Sequence, residues 1–504
     1  MAYLPQFRPL AAHLATLACL VNVFAAASLH AQCSGSLVLD SQAAVDAYRQ
    51  NHPNCTRFEG SIYIEGPEVD DLAGLAGLAS VSDTLALRLV EIEVLDDLLA
   101  LDSVGFLELS RTFNQVSLQP LNGLTVRGLS LEDVPLLNNL FGGDYLRSLP
   151  LGLSLQGNPR LVSLRGLDSL RDIGRQLTIT GNDTLQNVDA LEQLVVTDAR
   201  VNVRVSGNAQ LATLEGLRGL RDTRGSLTVT ANRSLRSLEG LHNLTRVSQA
   251  ITIASNTLLT DLRGLRSLEG TFGSVTVSSM SQLTTLSGLE RLREVGNNLV
   301  IGGLPRLKTF DGLGNVTELG GSLALVALDS ITSMTGLEAL RAIQGLSIGQ
   351  CPRLEGLSDF SDELRIAASL SIVGNDELRL CAVPAVCEFL DRMPSPAQIE
   401  DNEVGCLTVA EVVRECDAVP ADDARAFAFA AYVDADRTLR IRGLDRIWGD
   451  GIAAELIGAE GRIHYSGRLP VDGRIALADL PGGLYTIRLT TREGRRGTAR
   501  VWVR

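Results

Sequence analysis

A pattern of about 24 residues recurs along most of this chain, and no other sequence feature limits the fold as strongly. From Leu235 the sequence reads LRSLEGLHNLTRVSQAITIASNTL, and the next pass reads LTDLRGLRSLEGTFGSVTVSSM. Leu235, Leu238, Gly240, Leu241, Leu244 and Ile251-Thr-Ile253 thereby superpose on Leu259, Leu262, Gly264, Leu265, Leu268 and Val275-Thr-Val277. A unit this short cannot bury its apolar face alone, so its leucines become a core only when a neighbouring copy covers them. The triplets place two β-branched residues on one side of a strand and a threonine on the other. Gly240 and Gly264 fall where each coil must turn tightly, a place that favours a residue without Cβ.

The triplets start at Ile62-Tyr-Ile64 and pass through Leu85, Leu107, Leu129, Leu153, Leu177, Val203, Leu227, Ile251, Val275, Leu299, Leu323 and Leu346 to Leu370-Ser-Ile372. Their spacing predicts a mainly β solenoid of about fourteen rungs over 62–380. At ~4.8 Å per rung, such a stack is on the order of 65 Å long. Asn158, Asn182, Asn208, Asn232, Asn256 and Asn375 share one offset after the strand, where stacked amides can bond along the axis and satisfy turn backbone. Met280, Leu304, Leu328 and Cys351 hold that offset elsewhere, so packing replaces the ladder there.

The phrase Leu161-x-x-Leu164-x-Gly166-Leu167-x-x-Leu170-x-x-Ile173, ending in Leu177-Thr-Ile179 and Asn182, resembles the receptor L domain and its bacterial leucine-rich relatives. The resemblance covers about Ile62 to Leu380 and implies a right-handed coil of short parallel sheets, capped by cysteines and used for recognition. The early coils from Asp70 to Leu149 depart from the pattern.

Residues 1–31 read as an export signal: Arg8 near the start, an apolar run from Leu14 to Leu29, then Leu-His-Ala before Gln32. Cys19 lies in mid-run and is poorly placed for a lipoprotein site. No later segment has the roughly 18 apolar residues needed to span a bilayer. Of the remaining cysteines, Cys33 and Cys55 precede the repeats within a cap at 32–61. Cys381, Cys387, Cys406 and Cys416 follow the repeats, within a cap at 381–417, where an open core end needs a staple. Cys33 with Cys55 is the expected first bridge. Near-neighbour pairing, Cys381 with Cys387 and Cys406 with Cys416, is the expectation for the rest, although four cysteines allow three connectivities. Cys351 is left over as a buried thiol.

Asp40 to Asn51 predicts a short helix over the first coil, and the second cap predicts two helices around a strand at Gln398 to Glu400. Residues 418–437 read as linker. From 438 to 504, short alternating runs separated by Asp450-Gly451, Glu460-Gly461, Asp472-Gly473 and Glu493-Gly494 predict a β-sandwich of about seven strands. Glu455 to Arg462 and Leu480-Pro481-Gly482-Gly483-Leu484-Tyr485 look like the C-terminal sorting domain of type IX secretion substrates. Gly461, Arg462, Leu480, Pro481, Gly483 and Tyr485 carry that likeness, while Tyr432 to Asp436 stands where the family usually has Asn-Pro. The resemblance implies export across both membranes, through the type IX machinery, to the medium or the outer surface.

A net charge of −14 argues against a nucleic-acid partner, and Lys308 is the only lysine beside many arginines. His52, His242 and His464 have no partner at metal-ligand or base–nucleophile spacing, and no phosphate-cradling glycine loop occurs. Paired carboxylates such as Asp70-Asp71, Asp96-Asp97 and Asp422-Asp423 read as solvated charge. No cofactor, metal or catalytic group is expected. One surface stands out: Thr178, Arg204, Thr228, Thr252 and Thr276 point outward in file, flanked by Thr180, Ser206 and Thr230. A flat, rigid face of this kind suits a protein or glycan ligand, although threonine is also simply a good strand residue. The expectation is a monomeric, exported, non-catalytic recognition or adhesion protein. The alternatives are an inert envelope spacer and, more remotely, a hydrolase or an ice-binding protein, whose regular Thr array Arg204, Val300 and Ala324 would interrupt.

Overall fold

The computed structural model describes residues 33–93, 95–112, 118–196, 200–392, 397–417, 430–433, 437–442, 452–458, 462–470, 474–477, 480–490 and 496–503. The expected export signal, Gly461 and most of the expected linker lie outside these residues. The chain is mainly β and divides into two compact units, one running to Leu235 with 239–241, the other comprising 236–238 and 242 onward.

In the first unit, strands at Ser34–Leu39, Arg57–Glu65, Ser80–Arg88, Ser103–Ser110, Thr125–Glu132, Gly152–Gln156, Gln176–Thr180, Asn202–Ser206 and Leu227–Thr230 form a parallel sheet. Each pairs with the strand one repeat later. The register sets Leu177 beside Val203 and Val203 beside Leu227, so inward-facing apolar residues stack on their counterparts and are buried. The irregular early coils keep their strands. They absorb the difference in a register shift between Val81 and Thr84.

Glycine in the Leu-x-Gly-Leu phrase serves close approach of successive coils. A Cβ on Gly240 would lie 1.9 Å from the carbonyl oxygen of Leu214, and its φ is +103°. On Gly216, a Cβ would lie 1.8 Å from the Val188 oxygen. No side chain fits between these backbones.

The helix α1 (Gln42–Asn51) follows the first strand. Ser41 caps it by accepting from the Ala44 amide, and Val45 and Tyr48 turn inward from it. The disulfide Cys33–Cys55 joins the start of the first strand to the chain just before the second, with 5.8 Å between Cα atoms.

In the second unit, strands at Ile251–Ala254, Val275–Ser278, Leu299–Gly302, Leu323–Val326, Ala342–Gly349, Arg365–Asn375 and Ala397–Asn402 pair in parallel in the same way. The last is the strand expected near Gln398 to Glu400. It is flanked by α2 (Pro384–Arg392) and α3 (Val409–Asp417).

The near-neighbour pairing expected for the last four cysteines is incorrect. The bridges are Cys381–Cys406 and Cys387–Cys416, with Cα separations of 5.6 and 5.5 Å. Cys381 precedes α2 and Cys387 sits within it, whereas Cys406 and Cys416 lie one coil further on, at sequence separations of 25 and 29. Stacking makes neighbours of residues a repeat apart. Chain proximity does not.

Beyond α3, antiparallel pairs join Ala430–Val433, Thr438–Arg442 and Arg474–Ala476 in one small sheet. Ile463–Arg468, Ala453–Gly458, Gly483–Thr490 and Arg496–Val503 form another. Leu439, Ile441, Leu456, Ile475, Ile487, Leu489 and Val501 share one apolar cluster. Among the described residues no helix is long and apolar enough to cross a membrane.

Candidate recognition surface

Period-two alternation turns the middle residue of most triplets outward, Ala86 and Ser154 being buried, and parallel pairing aligns these residues between coils. In the first unit, Ser154 stands beside Thr178, Thr178 beside Arg204, and Arg204 beside Thr228. A second file two residues on runs Gln156, Thr180, Ser206, Thr230. Thr178, Thr228, Thr180, Ser206 and Thr230 are half-buried and Arg204 is exposed. The hydroxyls of Ser206 and Thr230 bond to each other at 2.8 Å, which fixes their rotamers. In the second unit Thr252 stands beside Thr276, after which Val300 and Ala324 interrupt the hydroxyls until Ser347 and Ser371.

Toward the first coil these files change character, which the sequence reading missed. Tyr63, Ala86, Glu108 and Ser130 extend one file, and Glu65, Arg88, Ser110 and Glu132 the other. Arg88 donates to both oxygens of Glu108 at 2.7 and 2.8 Å and to Glu65 at 3.1 Å. Its guanidinium carbon lies 5.0 Å from the centre of the Tyr63 ring. The Glu108 hydrogen bond, with help from Glu65, raises the Arg88 pKa above its ordinary value and keeps the group charged. Only part of this was legible in the sequence: Glu65 and Arg88 hold aligned positions one repeat apart, whereas Glu108 is aligned with Ala86 and reaches Arg88 diagonally.

Behind the surface, the asparagines fix the turn. Asn158, Asn182 and Asn208 are fully buried. The Asn158 amide nitrogen donates to the Leu131 carbonyl at 3.1 Å and to Asn182 Oδ1 at 3.1 Å, and that oxygen also accepts the Asn158 backbone N–H. Asn182 repeats the set with Leu155 and Asn208, and Asn208 with Ile179 and Asn232. In the second unit Asn375 bonds Ile348 and Asn402, and Asn402 bonds Ile372 and the Cys406 carbonyl. Asn402 is a ladder member that the sequence reading did not include, although it follows Ile399 at the offset by which Asn375 follows Ile372. Asn256 is buried at the equivalent turn.

Of the residues that suggested a sorting domain, Leu480, Pro481, Gly483 and Tyr485 meet at one turn. Tyr485 is 5% exposed, and its hydroxyl donates to the Pro481 carbonyl at 3.0 Å. Leu480 packs on the apolar cluster and its carbonyl accepts from Arg437. The Arg462 carbonyl accepts the Gly458 N–H at 2.9 Å, and Gly461 lies outside the described residues. These residues hold the local backbone.

Cys351 is the one free cysteine among the described residues, and burial pushes its thiol up to about 11. His464 packs edge-on against Tyr485 with 5.2 Å between ring centres. No cluster of three or more His, Cys, Asp or Glu side chains that could hold a metal occurs among the described residues. In comparison with known proteins, no family model matches the chain and no curated protein matches it.

Proposed function

We propose that this chain is an exported, non-catalytic recognition or adhesion protein that binds a protein or glycan partner along the outward files of its long strands. The observation that carries the reading is their register. Thr178 and Arg204, with Thr180 and Ser206 beside them, are fixed by backbone pairing on both sides, and Thr228 and Thr230 by pairing to Arg204 and Ser206. A ligand meeting such a surface orders little of it on binding, so the entropic cost of complex formation is low. The Tyr63, Arg88 and Glu108 cluster adds an aromatic and a charged contact to the same face.

In this reading the chain is a right-handed receptor-L-like solenoid of about fourteen rungs, and the C-terminal strands form a sandwich that serves as a type IX sorting label. Three disulfides in the described residues suit an oxidising compartment, and the apolar run from Leu14 to Leu29 suits entry into the export pathway. The test is binding of the purified chain to arrays of glycans and cell-surface proteins, repeated with Thr178→Glu and Thr228→Glu together. Binding that these changes abolish supports the proposal. Binding to nothing favours the inert spacer, and binding that ignores both changes overturns the long-strand files as its site.

A further inference from the structure

The second unit carries another ladder, made of strands only two residues long: Arg246–Val247, Gly270–Thr271, Glu294–Val295 and Glu318–Leu319. They pair in parallel, aligning Arg246, Gly270, Glu294, Glu318 and Ala342. Val247, Thr271, Val295 and Leu319 are buried, so the side chains on either side of each face outward, while Gly270, which has none, is buried. One outer column is Arg246, Gly270, Glu294, Glu318. The other is Ser248, Phe272, Gly296, Gly320.

Phe272 is 62% exposed, and the Arg246 guanidinium lies over its ring at 5.9 Å from the centre. One face of the ring is therefore held by a cation and the rest stands in solvent. At its own column position the next two coils carry only glycine, Gly296 and Gly320. A Cβ on Gly296 would lie 2.3 Å from the Phe272 carbonyl oxygen, and one on Gly320 would lie 2.1 Å from the Gly296 oxygen, so coil packing itself requires glycine at both. Bare backbone thus runs beside the ring for two coils, about 10 Å at ~4.8 Å per strand. Along its border Glu294 and Glu318 are exposed, and neither carboxylate makes an ion pair or side-chain hydrogen bond among the described residues.

We propose that this ledge binds a neutral glycan. A pyranose ring has a flat C–H face and a rim of hydroxyl donors. The ledge supplies an aromatic wall for the first, and two carboxylate acceptors one strand apart for the second. Its length suits two sugar residues. An acidic sugar is repelled by Glu294 and Glu318. A peptide strand finds no free edge, because Gly270–Thr271 and Glu294–Val295 are paired on both sides. The ledge lies on a different ladder from the Thr252 and Thr276 file, so it stands independently of the function proposed above.

The test is affinity electrophoresis of the full chain in gels containing a neutral glucan, mannan, xylan or galactan, with alginate as the acidic control. At least one neutral polysaccharide should retard the chain and alginate should not. Phe272→Ala should weaken that retardation about fivefold or more, as loss of an aromatic contact does, and Glu294→Gln with Glu318→Gln should weaken it as well. Phe272 is exposed, so an unchanged thermal melt will show that the variant folds. No retardation by any neutral polysaccharide, retardation indifferent to Phe272→Ala, or stronger retardation by alginate overturns the ledge. Retardation lost with Thr252→Glu and Thr276→Glu but kept with Phe272→Ala places the glycan on the long-strand face: the ledge then falls and the earlier proposal stands.

Discussion

The turn that closes each long strand is built in two ways, and the contrast separates what the backbone needs from what side chains add. Around Asn158, Asn182 and Asn208 the turn is filled by buried amides bonded along the stack. Around Met280, Leu304 and Leu328 it is filled by buried apolar side chains. The backbone is alike in both: the Gly157 N–H donates to Thr180 at 2.9 Å, and the Gly303 N–H donates to Val326 at 2.9 Å. The ladder is therefore one solution to filling the turn, and the two solutions differ in how they fail. An apolar turn that loses volume loses contacts. A laddered turn that loses one amide strands its neighbours' polar groups in a dry interior.

The largest effect follows from that difference. Asn208→Leu leaves the Ile179 carbonyl and the Asn182 backbone N–H without their bonds, and should cost about 3–6 kcal/mol in chemical denaturation. Met280→Leu, a swap of similar volume in the apolar turn, should cost less than ~1.5 kcal/mol. Equal losses would break the comparison.

Cys351 marks the junction between the two regimes, since its backbone N–H donates to Asn375 Oδ1 at 3.0 Å while its own side chain is a thiol. Its thiol pKa is raised from 9.0 to about 11 by burial, so the folded state holds that proton more tightly than the unfolded chain. This contribution is complete below pH 9 and is lost as pH rises through 11. Over that window the wild type should lose about 2 kcal/mol more stability than Cys351→Ala, measured by denaturant titration at each pH.

Smaller effects belong to the residue before the ladder position, which adopts a left-handed conformation in both regimes. It is Gly157, Gly181 and Gly207 in one stretch, but Ala231, Ser279 and Ala327 elsewhere, with φ near +57°, +57° and +54°. Ala231→Gly, Ser279→Gly and Ala327→Gly should each stabilise by about 0.5–1 kcal/mol, because strain relief exceeds the entropy that glycine forfeits. The smallest change is expected at the surface. Arg88→Met should shift stability by less than ~1 kcal/mol, the shift shrinking in high salt, because both of its partners remain in contact with water.

Much of this molecule was legible because a period near 24 residues converts sequence distance into contact. The triplets from Ile62 to Ile372, the asparagines at fixed offset and the Cys33–Cys55 staple all express that one relation. The bridges of the second cap were misjudged by treating chain neighbours as spatial neighbours, when Cys381 and Cys406 are joined by the same stacking rule as the leucines. Asn402 was hidden inside a cap whose strand resembles no other triplet. The Phe272 ledge was hidden for another reason: Val247, Thr271, Val295 and Leu319 keep the 24-residue spacing, but Ser248, Gly296 and Gly320 stand where Phe272 does in the neighbouring coils, so the aromatic itself does not recur. Arg88 and Glu108 needed alignment of outward positions in coils whose register the sequence left irregular.

The central claim is that residues one repeat apart are lateral neighbours on the long-strand sheet. Oxidative cross-linking of paired cysteines tests it directly, with Thr276→Cys and Val300→Cys, which face each other on adjacent strands, against Thr276→Cys and Arg291→Cys, which are closer in sequence. The first pair should link rapidly in the native chain and the second should not. Equal linking of both pairs, or linking of the second alone, would contradict the stacking on which every surface described here depends.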